Sequence, residues 1–216
     1  MKTVRALATT KQDPSLYPSL DGYEVEVTAE DLPQALKQAG IVGKLVSADN
    51  IPLGRLLQDK LLELGYKVAC AESLTGGALA AEIVRFDGAS RIMDESVVTY
   101  GDVAKIGLLD VDADVLAREG AVCQEVAKEM AEGVKRLSGC DLALSTTGIA
   151  GPKGDGKCNE VGLTFIGVAT PYETVTYMHL FEGERDDVRR QAVLWALLHG
   201  VQALDKILAD KADQNK

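Results

Sequence analysis

Histidine is the scarcest chemistry-bearing residue of this chain: 216 residues hold two, His179 in a strand-like stretch and His199 in a helix-like one. Neither has a cysteine, a second histidine or an acidic residue at ligand spacing, so no structural zinc site or other metal site is expected. A Ser-His-Asp triad survives the count, although both histidines also read as ordinary half-buried side chains. Cysteine is sparse as well. Cys70, Cys123, Cys140 and Cys158 are widely spaced without a CxxC pair, and no apolar N-terminal stretch resembles a signal peptide, which predicts reduced thiols and a cytoplasmic protein. Positive charge is short: 23 Lys and Arg against 33 Asp and Glu leave a net charge of -10, and no basic stripe offers the contacts a phosphate backbone needs. Nucleic acid is not an expected partner. An anionic small molecule stays open, because a few arginines in a cleft set the local potential whatever the average. Apolar runs are cut by Lys, Glu or Asp before they reach membrane-spanning length, so no membrane partner is expected.

What is present is core-forming material: 46% of the residues are hydrophobic, enough for one full-sized domain and a small appendage. Residues 1–50 form the appendage, with a polar, proline-containing KQDPSLYPSLDG, a strand-like YEVEVT and a short capped helix over TAEDLPQALKQAG that has Pro33 in its first turns and Gly40 as its stop. Residues 51–210 carry the main domain and 211–216 a polar tail. IPLGRLLQDKLLELG predicts a helix ended by Gly65; KVACAES is a strand, TGGALAAEIVRF a small-residue helix, SVVTY a strand, and AKIGLL and DADVLAREG are short helices. CQEVAKEMAEGVKRLSG places Val126, Met130, Val134 and Leu137 on one helical stripe, and DLALSTTG is a buried-type strand. VGLTFIGVAT and ETVTYMHLF, separated by Pro171 and Tyr172, predict an antiparallel hairpin, and DDVRRQAVLWALLHGVQALDKILAD a long closing helix. Strands and helices that alternate and then end in a hairpin predict an α/β fold, a three-layer α/β/α domain with a mixed sheet.

Four segments could carry chemistry. In AESLTGG, residues 71–77, a serine leaves the end of a strand and two glycines open a helix. Backbone N–H groups there could hold an anion or a developing oxyanion. The same pattern also reads as a helix N-cap, with Ser73 or Thr75 satisfying free amides. In TYGDVAK, Tyr100 and Lys105 are five apart, which on one helix would put them on different faces; they converge only if the chain turns after Tyr100, a turn Gly101 permits. A buried lysine with a lowered pKa could then act as general base toward a serine. STTGIAGPKGDGK, residues 145–157, is not a Walker A loop, but its threonines and backbone could meet a ligand at the carboxyl end of a strand. In GERDDVRR, Arg185 and Arg189 share one helix face near a helix start, a place suited to phosphate, unless both pair with their acidic neighbours.

Together and in this order, AESLTGG, VVTYGDVAKIGLL, the EGAV segment, the AxxMAEG helix, TGIAGP and GERDDVR closely resemble the CinA C-terminal domain family, which includes stand-alone PncC-type deamidases; the resemblance covers roughly residues 53–208. It implies a Rossmann-like α/β/α domain, usually oligomeric. It also implies hydrolysis of nicotinamide mononucleotide to nicotinate mononucleotide and ammonia, without metal or cofactor. By matching motif, Ser73 is the nucleophile, Lys105 its base, Tyr100 the residue that couples or orients them, and Arg185 a ligand of the substrate phosphate. Thr75, Gly76 and Gly77, and Thr147, Gly148, Ala150 and Gly151, match the substrate-contacting segments. The sequence departs from the family at Leu74, where cysteine is common, at Gly101 and Asp102, which replace a Ser-Asn pair, and in KGDGKCNE after Pro152. Lys153, Asp155 and Lys157 there leave a serine amidase acting on another amide as an alternative. A third reading is a non-catalytic nucleotide-binding member of the fold.

Overall fold

The computed structural model describes residues 2–8, 11, 23–29, 43–47, 50–156 and 159–214. They fall into two units, Met1–Leu56 and Leu57–Lys216. In the first, β1 (Lys2–Ala8) lies between β2 (Glu24–Ala29) and β3 (Gly43–Ser47), antiparallel to both. β2 is the strand expected from YEVEVT. β1 and β3 were not expected. Ala29, assigned above to a helix, instead ends β2, and the rest of that helix past it lies outside the described residues. Within this unit the buried Glu24 accepts the backbone N–H of Leu53 at 2.7 Å.

The second unit is built on a five-stranded mixed sheet in the order β5-β4-β6-β7-β8. β4 (Val68–Glu72) pairs in parallel with β5 (Val97–Val98) and β6 (Leu142–Gly148), whereas β7 (Leu163–Ala169) and β8 (Thr174–Leu180) are antiparallel. The expected hairpin and mixed sheet are both present. Among the described residues the helices are α1 (Leu53–Leu64), α2 (Ala78–Ile83), α3 (Asp102–Leu109), α4 (Ala113–Glu119), α5 (Gln124–Ser138) and α6 (Arg185–Gln214).

Strand alternation on β6 explains the layers. Ala143 packs with Met130, Ala131 and Val134 of α5, the Ser145 hydroxyl donates to the Ala127 carbonyl, and the Thr147 hydroxyl donates to Ala121 O at 2.6 Å. Leu144 points to the opposite face, where a Cβ on Gly200 of α6 would stand 3.4 Å from it. The result is a three-layer α/β/α fold. Val126, Met130 and Val134 are buried as their spacing predicts, but Leu137 is 46% exposed. Ala127 and Ala131 share the buried face in its place, and α5 ends a residue later at the left-handed Gly139.

α6 runs on through the expected polar tail to Gln214. By length and composition alone it is long and apolar enough to cross a membrane, contrary to the reading of interrupted runs, although 67% of its most apolar stretch is buried within the protein. Counting uninterrupted runs misses such a core helix because it tolerates buried polar residues such as Gln191 and His199.

Where α5 crosses α3, a Cβ on Gly133 would stand 2.2 Å from the Leu109 carbonyl oxygen, a backbone atom that cannot move aside alone. Alanine at a helical position normally gains about 1 kcal/mol over glycine. Overpacking of this kind costs about 1–3 kcal/mol, so Gly133→Ala is expected to lower the urea midpoint rather than raise it.

Candidate active site

Every residue of β4 is buried, and the strand delivers the chain to Ser73 at its carboxyl end. The turn that follows needs left-handed backbone at Gly76 (φ 61°) and Gly77 (φ 96°), a region that glycine enters without a side-chain penalty. α2 is not capped by Ser73 or Thr75. The carboxylate of Glu72, completely buried, accepts the N–H groups of Gly77 (2.8 Å), Leu79 (3.0 Å) and Ala80 (2.9 Å). This corrects the expectation that the α2 amides are open to an anion, and it releases the Ser73 hydroxyl for other work. Thr75 is buried too, with its hydroxyl 2.7 Å from that of Thr146. Glu72→Ala would strip three backbone donors, one buried at Leu79 and two half-buried at Gly77 and Ala80, of their acceptor. At about 1–3 kcal/mol for an unsatisfied buried group and less for a half-buried one, the expected loss is about 2–3 kcal/mol, read as a fall in chemical-denaturation midpoint, with Glu72→Gln recovering part of it.

Ser73 is tied down by its own N–H, which donates to Thr146 O at 2.9 Å, and the residue as a whole keeps 9% of its surface exposed. Facing it is Lys105 of α3, whose Nζ lies 3.3 Å from Ser73 Oγ, 2.9 Å from Thr99 O and 3.1 Å from Tyr100 O. Lys105 is completely buried. Burial pushes its amine below the usual lysine value, while the charge of Asp102, one helical turn earlier, pulls it back up. A neutral amine has two N–H donors and one lone pair. Thr99 O and Tyr100 O can take the two donors, which leaves the lone pair to accept the Ser73 O–H. The chain does turn after Tyr100, as convergence requires, but Gly101 is extended (φ -92°, ψ 157°) and its added Cβ would meet nothing within 4 Å, so the turn does not depend on glycine.

Tyr100 enters differently from its expected role. Its backbone carbonyl meets Lys105, whereas its side chain is 59% exposed and its hydroxyl lies 3.1 Å from Arg185 Nη2. Arg185 also donates through Nη1 to Gly151 O at 2.7 Å. Arg185, Tyr100, Lys105 and Ser73 therefore form one continuous chain of contacts. The loop after β6 folds back on β7: Ile149 N–H donates to Leu163 O, and a Cβ on Gly148 would stand 2.6 Å from the same oxygen. Ala150 is buried and Gly151 is left-handed (φ 85°), with Val161 against it. Thr147 is the substrate-side candidate that the fold turns elsewhere, because its hydroxyl is committed to Ala121 O on the α5 side of the sheet. Of the charged residues singled out after Pro152, Lys153 and Asp155 are exposed and Lys157 lies outside the described residues.

One residue of this region was not singled out for a role, and another, read with Arg185 as a phosphate candidate, is committed instead to the protein's own backbone. Glu72 was hidden within AESLTGG by its more conspicuous neighbours. Arg189, one helical turn after Arg185, grips the Ser73 turn, donating to Leu74 O at 3.1 Å and Thr75 O at 3.0 Å. The two histidines, distant in sequence, meet across β8 and α6 with their Nε2 atoms 2.9 Å apart, inside a ring cluster with Tyr177, Phe181 and Trp195. Among the described residues no group of three or more His, Cys, Asp or Glu is placed to hold a metal ion.

A family model for the CinA C-terminal domain matches residues 51–204. The chain belongs to the CinA C-terminal domain family. Similar proteins include a relative from Caldanaerobacter subterraneus named for competence-damage induction, 42% identical over 72% of this chain and 38% of its own length. A CinA-like protein of Endomicrobium trichonymphae is 45% identical over 69% of this chain and 35% of its own length. This CinA-family chain thus spans less than half the length of either relative. In crystal structures of similar proteins, this chain covers nearly the whole of the solved molecule. One from Klebsiella pneumoniae has a TM-score of 0.70 at 31% identity, over 71% of this chain and 96% of that one. A competence or damage-inducible protein from Enterobacter asburiae has a TM-score of 0.69 at 30% identity, over 72% and 99%.

Proposed function

We propose that this CinA-family chain hydrolyses the carboxamide of nicotinamide mononucleotide to nicotinate mononucleotide and ammonia. The observation that carries the reading is a completely buried lysine whose amine lies 3.3 Å from a serine hydroxyl at the carboxyl end of a sheet strand. Ser73 Oγ attacks the carboxamide carbon while its proton passes to Lys105 Nζ, giving a tetrahedral intermediate. Lys105 returns that proton to the amide nitrogen, the C–N bond breaks, and ammonia leaves an ester on Ser73. Water then attacks the ester carbon with Lys105 as base, the ester bond to Oγ breaks, and the proton restores the serine hydroxyl. Arg185, with its guanidinium between Tyr100 and the Gly151 loop, supplies the local cation that an anionic mononucleotide needs on a chain of net charge -10. Purified protein should release ammonia from nicotinamide mononucleotide far faster than from nicotinamide or its riboside. Release from a different amide, with none from the mononucleotide, would transfer the same dyad to another substrate.

The base must be neutral, so activity falls as pH drops through the Lys105 pKa. Because the Asp102 charge raises that pKa, Asp102→Asn is expected to move the acid limb of kcat/KM to lower pH and leave more activity on the acid side. A limb that stays in place, or moves up, would dissociate Lys105 from the profile.

A further inference from the structure

The Ser73 turn is held from two sides by opposite charges. From within, Glu72 takes the amides of residues 77, 79 and 80. From the α6 side, Arg189 Nε donates to Leu74 O (3.1 Å) and Nη2 to Thr75 O (3.0 Å), while Nη1 donates to Asp186 Oδ1 (3.0 Å), which fixes the plane of the guanidinium. The two carbonyls belong to the two residues directly after the serine. We propose that Arg189 is a positioning residue for the nucleophile, fixing the backbone of the Ser73 turn so that Ser73 Oγ stays within reach of Lys105; this rests on the serine mechanism proposed above.

Peptide planarity gives this grip its reach. Across a trans peptide the C=O of one residue and the N–H of the next point in opposite directions. Holding Leu74 O and Thr75 O toward α6 therefore turns the N–H groups of Thr75 and Gly76 away from it, and the Gly76 N–H closes the turn on Ser73 O at 3.1 Å. One planar fork thereby sets two successive peptide planes and, through the Gly76 bond, a third at Ser73. Lysine cannot reproduce the two-carbonyl contact, because its ammonium is a point charge without a fixed fork. Without Arg189 the turn keeps its inner ties, Ser73 N–H to Thr146 O and the Glu72 contacts to α2, but Leu74 and Thr75 lose their outer support. Arg189 touches no reacting atom. Its effect is on geometry, and a misplacement of about 1 Å costs roughly 10²-fold in rate.

The neighbouring Arg190 provides the control. It donates to Glu82 at 2.9 Å, tying α6 to α2. The test compares wild type, Arg189→Ala, Arg189→Lys and Arg190→Ala by kcat and KM for ammonia release, by denaturation midpoint, and by the rate at which a fluorophosphonate probe labels Ser73. Arg189→Ala should lose roughly 10²-fold in kcat with KM little changed and should label slowly. Arg189→Lys should recover only part of the loss, and added guanidinium at non-denaturing concentration should rescue the alanine variant. Arg190→Ala should lose stability and keep kcat, with no rescue. Folded Arg189→Ala that turns over and labels at wild-type rates would overturn the positioning role while leaving the serine mechanism standing. A wild-type protein that neither releases ammonia nor labels Ser73 would overturn both.

Discussion

Replacing Ser73 with alanine is expected to lower kcat for ammonia release by about 10⁴-fold or more while the denaturation midpoint stays close to wild type, because the Ser73 N–H tie to Thr146 O is a backbone bond that alanine keeps. Lys105→Met is expected to cost about 10²–10⁴-fold, the range for a well-placed general base. Methionine is the better replacement than alanine here, since Lys105 is completely buried and a short side chain would open a cavity beneath the serine. The double variant should be little worse than Ser73→Ala alone. A base has nothing to activate once the hydroxyl is gone, so the two losses cannot add. Losses that multiplied would mean that the two side chains act on separate steps, and the 3.3 Å contact between them would carry no catalytic meaning.

The second large effect concerns recognition. Arg185→Ala is expected to raise KM for nicotinamide mononucleotide by about 10- to 100-fold, the equivalent of one charge-assisted contact of about 1.5–3 kcal/mol, and to change use of the riboside much less. Some loss on the riboside is expected as well, because Arg185 also holds Gly151 O and the Tyr100 hydroxyl. The ratio of the two losses is therefore the informative quantity. Steady-state kinetics on both substrates measure it, and equal losses would reduce Arg185 to a strut between the Tyr100 and Gly151 segments.

Much of the sheet could be read from local pattern. β4 and β6 are short apolar runs of the kind a doubly covered sheet requires, and the Pro171-Tyr172 break between two β-rich runs marks the hairpin. β1 and β3 left no such mark. KTVRALA and GKLVS set charged residues among their apolar ones without strict alternation, and their strand identity comes from β1 pairing with both β2 and β3 rather than from their own composition. At the site, Ser73 and Lys105 were legible because motif order resembles a family and the strand-turn-helix context suits a nucleophile. The side of the sheet that Thr147 faces was also legible in principle: it shares the parity of Ala143 and Ser145 on β6, and that parity leads to α5.

The remaining features depend on tertiary contacts that spacing does not encode. Glu72 caps a helix that begins several residues later, and its three amides come from the turn folding back over the strand end. Tyr100 contributes a carbonyl to Lys105 while its phenol reaches Arg185, 85 residues further on. Arg189 was visible as the partner of Arg185 on one helix face, but only the fold shows that the two arginines serve different loops, one the Gly151 loop and the other the Ser73 turn.

Acylation of Ser73 during turnover is read from the mass of the Ser73-containing peptide in acid-quenched reactions with nicotinamide mononucleotide, run with and without hydroxylamine. An adduct on Ser73 equal to the substrate less ammonia is expected, with product diverted to the hydroxamate when hydroxylamine is present, and neither in Ser73→Ala. Unmodified Ser73 at every time point, with only nicotinate mononucleotide formed in hydroxylamine, would rule out the acyl-enzyme and point to direct attack by water.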